Sequence, residues 1–164
     1  MNKLLVFDSL PSTNEFALNL ENPYHGDSIL AYRQTQGRGQ YGRIWNSMPG
    51  GLYLSIILED VNLDNITLEI GEIVRKYLEE LTNEEFDIKL PNDILYRSEK
   101  ICGILVESKT CGENVWAVAG IGLNVNNENY INLSKIMGRK LEILVVAENL
   151  RKQILEGINY GKNS

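Results

Sequence analysis

Gln34-Thr35-Gln36-Gly37-Arg38-Gly39-Gln40-Tyr41-Gly42-Arg43-Ile44-Trp45 is the stretch of this sequence that restricts the fold most. It lies within residues 28–58, which contain three arginines and no acidic residue although the net charge of the chain is -6. Three glycines within six residues allow the backbone to turn tightly, and arginine side chains favour anionic ligands. The stretch therefore predicts a loop that folds around an anion, as a local positive island rather than a general affinity for polyanions.

The glycine spacing fits two phosphate-binding motifs, but its surroundings argue against both. Gly37-x-Gly39-x-x-Gly42 matches the dinucleotide fingerprint, which requires a helix that begins at the last glycine. Pro49-Gly50-Gly51 follows instead and cannot begin a long helix, and residues 52–58 have the pattern of a buried strand. A P-loop needs Lys followed by Ser or Thr where Arg43-Ile44 stands. A flexible hairpin loop with solvated arginines is the remaining alternative.

The order of the predicted elements indicates the fold class. A capping box at residues 12–15 begins one helix, apolar residues at helical spacing predict a second at residues 64–81, and a third starts near residue 141. Residues 127–140 give the least clear pattern. Many strands joined by short turns predict an α+β domain on a mainly antiparallel mixed sheet flanked by helices. The strands are expected at residues 3–7, 28–33, 52–58, 86–90, 94–96, 100–108 and 114–126.

Composition narrows the class of protein. With 164 residues, 43% of them hydrophobic and 23% charged, the chain is expected to form one globular domain with its own core. The acidic balance argues against a dedicated nucleic-acid binder. No segment has the pattern of a membrane span or a signal peptide, so we expect a cytoplasmic protein without membrane association. Cys102, Cys111 and His25 form no zinc set, so the sequence predicts no metal site made by side chains alone.

Two charged clusters are candidates for chemistry. In Lys89-Leu90-Pro91-Asn92-Asp93 the proline fixes a bend that presents Asn92 and Asp93 side by side, although Asn and Asp are also common in purely structural turns. Lys100 enters a strand that is otherwise apolar, which is costly for an ammonium group unless it meets an anion. The alternative for Lys100 is an edge position that faces water.

Glycines inside predicted strands form a further cluster. Gly103 interrupts the strand that follows Lys100, and Gly120 and Gly122 interrupt the next strand. A glycine within a strand indicates that a ligand or another part of the chain passes close by. Asn124 is the polar residue among the apolar neighbours of the second pair.

In this order, the clusters resemble the catalytic domain of biotin protein ligases. The matching segments are Ser12-Thr13-Asn14, Gln34 to Trp45, Lys89 to Asp93, Lys100-x-x-Gly103-Ile104-Leu105-Val106-Glu107 and Gly120-Ile121-Gly122-x-Asn124-Val125. The resemblance runs from about Val6 to Asn126 and implies a fold shared with lipoate ligases and related to the class II aminoacyl-tRNA synthetase core. It implies that residues 1–164 are a single catalytic domain. Neither the N-terminal DNA-binding domain of the repressor-type members nor their small C-terminal β-domain is expected.

The resemblance also implies a two-step reaction. ATP and biotin first form biotinyl-5'-AMP, and biotin then passes to a lysine of a biotin carboxyl carrier protein; Mg²⁺ would be held mainly by phosphates. Catalytic roles are implied for Lys100, Arg38 and Asp93. The implied biotin-binding residues are Ser12, Thr13, Asn14, Gln34, Gly37, Arg38, Lys100 and Gly103. The implied ATP- or adenylate-binding residues are Arg38, Gly39, Gln40, Arg43, Trp45, Asn92, Lys100 and Asn124.

Two positions depart from the pattern of the family. Members usually carry a basic residue after Arg38-Gly39, where this chain has Gln40, and a tryptophan where it has Leu90. A lipoate or octanoate ligase and a non-catalytic binder of biotin or biotinyl-adenylate are therefore kept as alternatives. The sequence leaves a homodimer open.

Overall fold

The computed structural model describes residues 2–162, with the backbone alone at residue 111 and at residues 159–162. Its framework is one seven-stranded sheet. In chain order the strands are β1 (Leu4–Phe7), β2 (Ser28–Ala31), β3 (Leu52–Glu59), β4 (Asp87–Lys89), β5 (Asp93–Tyr96), β6 (Glu99–Cys111) and β7 (Asn114–Leu123). Their order across the sheet is β1-β2-β3-β7-β6-β5-β4. The pair β1 and β2 is parallel and the other neighbouring pairs are antiparallel, so the sheet is mixed and mainly antiparallel.

Four α-helices are present in the described part of the chain: α1 (Thr13–Leu18), α2 (Ile66–Thr82), α3 (Leu133–Met137) and α4 (Ile143–Lys162). The backbone amide of Glu15 donates to the Ser12 hydroxyl at 3.2 Å, so Ser12 caps α1 as predicted. The segment with the least clear pattern contains α3, which the side chain of Asn132 caps and which Gly138 ends at a φ of +73°.

One face of the sheet is covered by α2 and α4, and this face contains most of the core. The apolar residues that predicted α2 lie on a single side of the helix, where Ile66, Ile70, Val74 and Leu78 are buried. Burying a side chain of this size contributes about 1.5–3 kcal/mol each. Packing on this face is therefore the main source of stability.

In the described part of the chain, the opposite face is covered by α1 and by the glycine-rich loop that follows β2. A smaller apolar cluster of Ala17, Ile29, Ile57 and Val118 joins α1 to the sheet. Beyond this cluster, Gly103 of β6 lies opposite Gly122 of β7. The two glycines leave a shallow floor, and the candidate site is built on it.

Several predicted strand limits change in the structure. Strand β7 runs without a break through Gly120 and Gly122, because both stay paired with β3 and β6. It ends at Leu123, short of the predicted residue 126. Strand β4 is shorter than predicted and ends before Leu90-Pro91, since proline has no amide hydrogen for a strand ladder.

Candidate active site

A cavity of about 140 Å³ lies on the α1 face of the sheet, between α1, the glycine-rich loop and strands β5, β6 and β7. All of the predicted site residues except Gly37 and Asn124 line it. The structure thus brings together residues from six separate segments of the sequence.

Residues 37–45 form a hairpin, called here the arginine hairpin. The Gly39 amide donates to the Arg43 carbonyl at 2.7 Å, and the Trp45 amide donates to the Gly37 carbonyl at 3.0 Å. Tyr41 and Gly42 at the tip have φ values of +57° and +73°, the pattern of a type I′ turn. The hairpin alternative was therefore correct for the backbone, and the structure shows where the arginines lie.

Arg38 is not solvated freely, because two carboxylates from other segments surround it. Its Nε and Nη2 donate to Oε1 and Oε2 of Glu107 on β6, both at 3.1 Å. Its Nη1 lies 3.8 Å from Oε2 of Glu15 on α1. The interpretation of residues 28–58 as a local positive island does not hold at Arg38, whose charge is paired. The stretch lacks acids in sequence, but the fold supplies them from elsewhere.

Lys100 meets the anion that its position in the strand predicted. Its Nζ forms an ion pair with Oδ1 of Asp93 at 2.9 Å and lies 4.9 Å from the centre of the Trp45 ring, a cation–π arrangement. The Lys100 side chain is 42% exposed, so the ammonium group keeps access to the cavity and its remaining hydrogens stay available for a ligand.

The indole of Trp45 makes the close approach that the strand glycines predicted. A Cβ atom at Gly103 would lie 2.9 Å from Cζ3 of Trp45, and one at Gly122 would overlap its Nε1. The indole therefore rests on the floor that these glycines leave. Its Nε1 is buried and has no hydrogen-bond partner among the residues that the structure describes. An unpaired buried donor costs about 1–3 kcal/mol.

Thr13 and Gln34, which line the cavity, belong to a neutral hydrogen-bond network. The backbone amide and the hydroxyl of Thr13 donate to Oε1 of Gln34 at 2.7 and 3.1 Å, and Nε2 of Gln34 donates to Oγ of Ser47 at 2.9 Å. The hydroxyl of Ser55 donates to that of Thr13 at 2.7 Å. Ser47 and Ser55 could not be predicted from the sequence, because neither belongs to a recognisable motif.

Asn14 lines the cavity and also connects α1 to the sheet. Its Nδ2 donates to the Leu105 carbonyl at 3.2 Å and to Oε1 of Glu107 at 2.9 Å. Its side chain lies against Gly120, where a Cβ atom would overlap it. The glycine at position 120 is thus explained by the approach of Asn14.

Asn124 and Gly37 lie behind the cavity wall. Nδ2 of Asn124 donates to the Lys100 carbonyl at 3.4 Å, and its Oδ1 accepts from Nδ2 of Asn127 at 3.0 Å. This buried amide supports the backbone that carries Lys100. Gly37 leaves no room for a side chain, since a Cβ there would be 2.9 Å from Nε2 of Gln34.

Two titratable side chains near the cavity are held neutral. Burial raises the pKa of Tyr53, which lines the cavity, above its usual value, and the nearby Tyr130 raises it further. Burial also raises the pKa of the Cys102 thiol to about 12. Cys102 therefore remains a thiol at neutral pH and is a packing residue of the core.

Fold and cavity together define an α+β domain in which an arginine hairpin and a strand lysine flank a neutral polar pocket. The profile of the biotin/lipoate A/B protein ligase family matches residues 6–126, and the chain belongs to this family.

Curated relatives and solved structures agree with this placement. The Bifunctional ligase/repressor BirA of Bacillus subtilis (strain 168) is 38% identical over 133 residues, which are 76% of this chain and 41% of that protein. The Homo sapiens biotin–protein ligase is 34% identical over 146 residues, 79% of this chain and 20% of that protein. The chain thus spans about two fifths of the length of the first relative and a fifth of the second.

Among solved structures, the biotin protein ligase from Aquifex aeolicus in complex with biotin and ATP superposes with a TM-score of 0.88 at 31% identity. The match covers 100% of this chain and 73% of that one. Plasmodium falciparum LipL1 in complex with lipoate, at 16% identity and a TM-score of 0.54, shares the fold alone.

These comparisons confirm the predicted family and the predicted α+β fold of the biotin ligase and class II synthetase type. The limits of the domain and the roles of the individual site residues stay predictions. Within residues 2–162, no helix is long and apolar enough to cross a membrane.

Proposed function

We propose that this chain is an ATP-dependent ligase that activates biotin as biotinyl-5'-AMP and transfers it to a lysine of a biotin carboxyl carrier protein. One observation carries the proposal: Arg38 and Lys100 line the same cavity as the neutral network around Thr13 and Gln34. The cavity therefore offers cations for two anionic groups and neutral partners for an uncharged ring. In this proposal the 164 residues act as one catalytic domain in the cytoplasm.

The first step joins two anions. A carboxylate oxygen of biotin attacks the α-phosphorus of ATP, and the phosphorus–oxygen bond to the leaving pyrophosphate breaks. Arg38 and Lys100 reduce the repulsion between carboxylate and phosphate and stabilise the charge that develops on the phosphoryl oxygens. A preorganised donor of this kind typically contributes about 10²–10³ in rate. Mg²⁺, held mainly by the phosphates, would supply further charge neutralisation.

The neutral network suits the rest of biotin. The ureido ring of biotin is an uncharged donor and acceptor, and the hydroxyls of Ser12 and Thr13 and the amide of Gln34 are uncharged donors and acceptors as well. Three further residues shape the site. Asn14 holds α1 close to β6, Gly37 leaves room for Gln34, and Gly103 leaves room for Trp45.

The cavity has to widen for both ligands. Its volume of about 140 Å³ lies below the roughly 300–1,000 Å³ usual for ligand sites. The arginine hairpin can move because its described backbone contacts are few and its tip is open, with Tyr41 93% exposed. Trp45 would then cover the adenylate and exclude water from it. Gly39, Gln40 and Arg43 would lie beside the nucleotide.

The second step transfers biotin to an amine. The lysine nitrogen of the carrier attacks the carbonyl carbon of the adenylate, the carbon–oxygen bond to AMP breaks, and the nitrogen loses a proton. Asp93 orients the amine or takes that proton. Its side chain is 18% exposed, and the turn that carries it is held by Nδ2 of Asn92, which donates to the Ile104 carbonyl at 3.0 Å. Asn124 acts indirectly, through the backbone of Lys100.

The relatives support the nature of the ligands and of the partner. A biotin–[acetyl-CoA-carboxylase] ligase of Paracoccus denitrificans is 35% identical over 133 residues, which cover 51% of that protein. Its name indicates a carboxylase as the target of biotinylation. The carrier domain of such an enzyme is therefore the proposed partner of this chain.

The proposal is tested by exchange of radiolabelled pyrophosphate into ATP, measured with and without biotin. Exchange that depends on biotin is expected, followed by biotinylation of an added carrier domain. Exchange that instead depends on lipoate or octanoate would favour the alternative ligase. Biotin binding with no exchange would identify a non-catalytic binder and refute the ligase proposal.

A further inference from the structure

Glu107 lies where three elements meet: β6, α1 and the arginine hairpin. The alternation of β6 places it on the same face as Gly103 and Leu105. Its Oε1 accepts from Nδ2 of Asn14 on α1 at 2.9 Å and from Nε of Arg38 on the arginine hairpin at 3.1 Å. Its Oε2 accepts from Nη2 of Arg38 at 3.1 Å.

This contact has the geometry that a ligand anion would use. Arginine binds a carboxylate or a phosphate through two parallel hydrogen bonds to two oxygens. Glu107 offers these two oxygens to the Nε and Nη2 edge of Arg38, and the more distant Glu15 adds a second carboxylate at 3.8 Å from Nη1. The same guanidinium edge cannot form these bonds to a phosphate at the same time.

We propose that Glu107 is a positioning residue whose carboxylate occupies the place of the ligand anion on Arg38. When the nucleotide binds, Arg38 leaves Glu107 and binds the phosphate. The proposal rests on the proposed function, because that function makes a nucleotide the anionic ligand. Without ligand, the contact keeps the arginine hairpin against β6 and α1. With ligand, Arg38 exchanges one bidentate anion for another.

Exposure and hydrogen bonding make this exchange feasible. The side chains of Arg38 and Glu107 are 34% and 28% exposed, and ion pairs with such access to water cost little to break. The phosphate groups carry more charge than one carboxylate, so they compete well for the guanidinium. After Arg38 leaves, Oε1 of Glu107 keeps the hydrogen bond from Asn14, so the carboxylate is not left without a partner.

A permanent clamp would behave in the opposite way. If Glu107 kept Arg38 in place throughout, loss of its charge would weaken nucleotide binding, because Arg38 would no longer be oriented. If Glu107 is a competitor of the ligand, loss of its charge strengthens nucleotide binding. The substitution Glu107→Gln separates the two, since glutamine has the same shape and still offers an oxygen to Asn14.

The experiment is calorimetric titration with MgATP in the presence of biotin, on the wild type, Glu107→Gln, Glu107→Asp and Glu15→Gln. We expect Glu107→Gln to bind ATP about two- to fivefold more tightly, the range that an exposed ion pair covers, with biotin affinity unchanged. The gain should shrink at high ionic strength. Glu107→Asp keeps the charge and should stay within about twofold of the wild type. Glu15→Gln removes a charge that makes no hydrogen bond to Arg38, so its gain should be smaller than that of Glu107→Gln.

Hydrogen exchange of the unliganded proteins provides an independent measurement. Amides of residues 37–45 should exchange faster in Glu107→Gln than in the wild type, and this difference should vanish once the nucleotide is bound. Equal exchange of these amides in the unliganded proteins overturns the proposal. ATP binding that is unchanged or weaker in Glu107→Gln also overturns it. The same holds if Glu15→Gln strengthens ATP binding as much as Glu107→Gln does, or if neither the wild type nor Glu107→Gln binds ATP. Tighter ATP binding by Glu107→Gln in a protein that shows no pyrophosphate exchange would refute the ligase proposal and keep the assignment of Glu107.

Discussion

The two faces of strands β6 and β7 differ in what they bury. Toward α2 and α4, the strands present Ile104 and Ile121, which are buried and closely packed. Toward α1, the same strands present Gly103, Gly120 and Gly122, on which Trp45 and Asn14 rest. The difference shows how one pair of strands provides stability on one face and room for a ligand on the other.

The ion pairs of the molecule show the same division. Arg75 of α2 pairs with Glu72 and Glu79 along the surface of the helix that covers the core. On the pocket face, the pairs of Arg38 with Glu107 and of Lys100 with Asp93 lie beside the cavity. The pairs of Arg75 contribute little beyond local helix stability. The pairs of Arg38 and Lys100 hold two cations beside the cavity, where a ligand anion could replace the carboxylates.

The strongest test of this comparison concerns stability. Ile104→Ala should lower the free energy of unfolding by about 2–5 kcal/mol, because it leaves a cavity in the closed face. Its neighbour Leu105 faces the pocket and is only partly buried, so Leu105→Ala should cost about 1 kcal/mol or less. Urea denaturation of both variants measures the difference. Equal losses would mean that the two faces do not differ in their contribution to stability.

The next effect concerns activity on the pocket face. Lys100→Ala should lower the rate of biotin-dependent pyrophosphate exchange by about 10²–10³, since it removes one preorganised cation. Its free energy of unfolding should change little, because the Lys100 side chain is 42% exposed. Lys76→Ala, an exposed position on α2, is the matched control and should leave the exchange rate unchanged. A normal rate for Lys100→Ala would show that this lysine is a bystander.

A pair of glycine substitutions compares the faces directly. At Gly122 a Cβ atom overlaps the indole of Trp45, so Gly122→Ala should raise the KM for biotin and ATP by roughly ten- to a hundredfold, the range of overpacking penalties. At Gly71 of α2 a Cβ atom would lie 3.8 Å from Ile104 and Ile88, an ordinary contact. Gly71→Ala should therefore stabilise the protein by about 0.5–1 kcal/mol through helix propensity. Steady-state kinetics measure the KM of both variants, and thermal unfolding measures their stability. An unaltered KM for Gly122→Ala would argue against a ligand site at Trp45.

The smallest predicted effect concerns retention of the adenylate. Gln40 is neutral where the resemblance to biotin protein ligases implies a cation. One charge near the phosphate in a partly closed site is worth about 1–2 kcal/mol. The reactive intermediate should therefore escape and label bystander proteins, and Gln40→Arg should slow this escape roughly tenfold. Biotinylated lysines on serum albumin, counted after incubation with enzyme, biotin and MgATP, measure it. If Gln40→Arg labels albumin as heavily as the wild type, another group retains the adenylate.

The site residues that could be predicted from the sequence are of types that are unusual in the secondary-structure element or segment that contains them. Glycines inside strands, a lysine at the start of an apolar strand and arginines in an acid-free stretch are visible without a structure. Glu107 could not be assigned in this way, because its role depends on contacts with Arg38 and with Asn14, which is 93 positions away. A glutamate in a strand near its end is common, and only the packing of α1 on β6 distinguishes this one.

Asn124 and α3 show two other limits of the sequence. An asparagine beside strand glycines has the same local pattern whether it binds a ligand or supports the backbone, and here its amide is hydrogen-bonded to the Lys100 carbonyl and to Asn127. The helix α3 has only five residues, too few for helical periodicity to be recognised. The strands themselves were predictable, but the central pairing of β3 with β7 joins segments about sixty residues apart and leaves no local pattern.

The position of Trp45 in the cavity makes it an intrinsic fluorescence probe of the site. The chain has two tryptophans, and the other, Trp116, packs at the edge of the small cluster under α1, away from the cavity. The fluorescence of an indole depends on the polarity of its surroundings and on nearby charge. Emission from Trp45 would therefore change if the proposed movement of the arginine hairpin took the indole away from the Lys100 ammonium group. In a Trp116→Phe background Trp45 is the remaining tryptophan. Stopped-flow recording of its emission can follow changes at the cavity in real time without an attached dye.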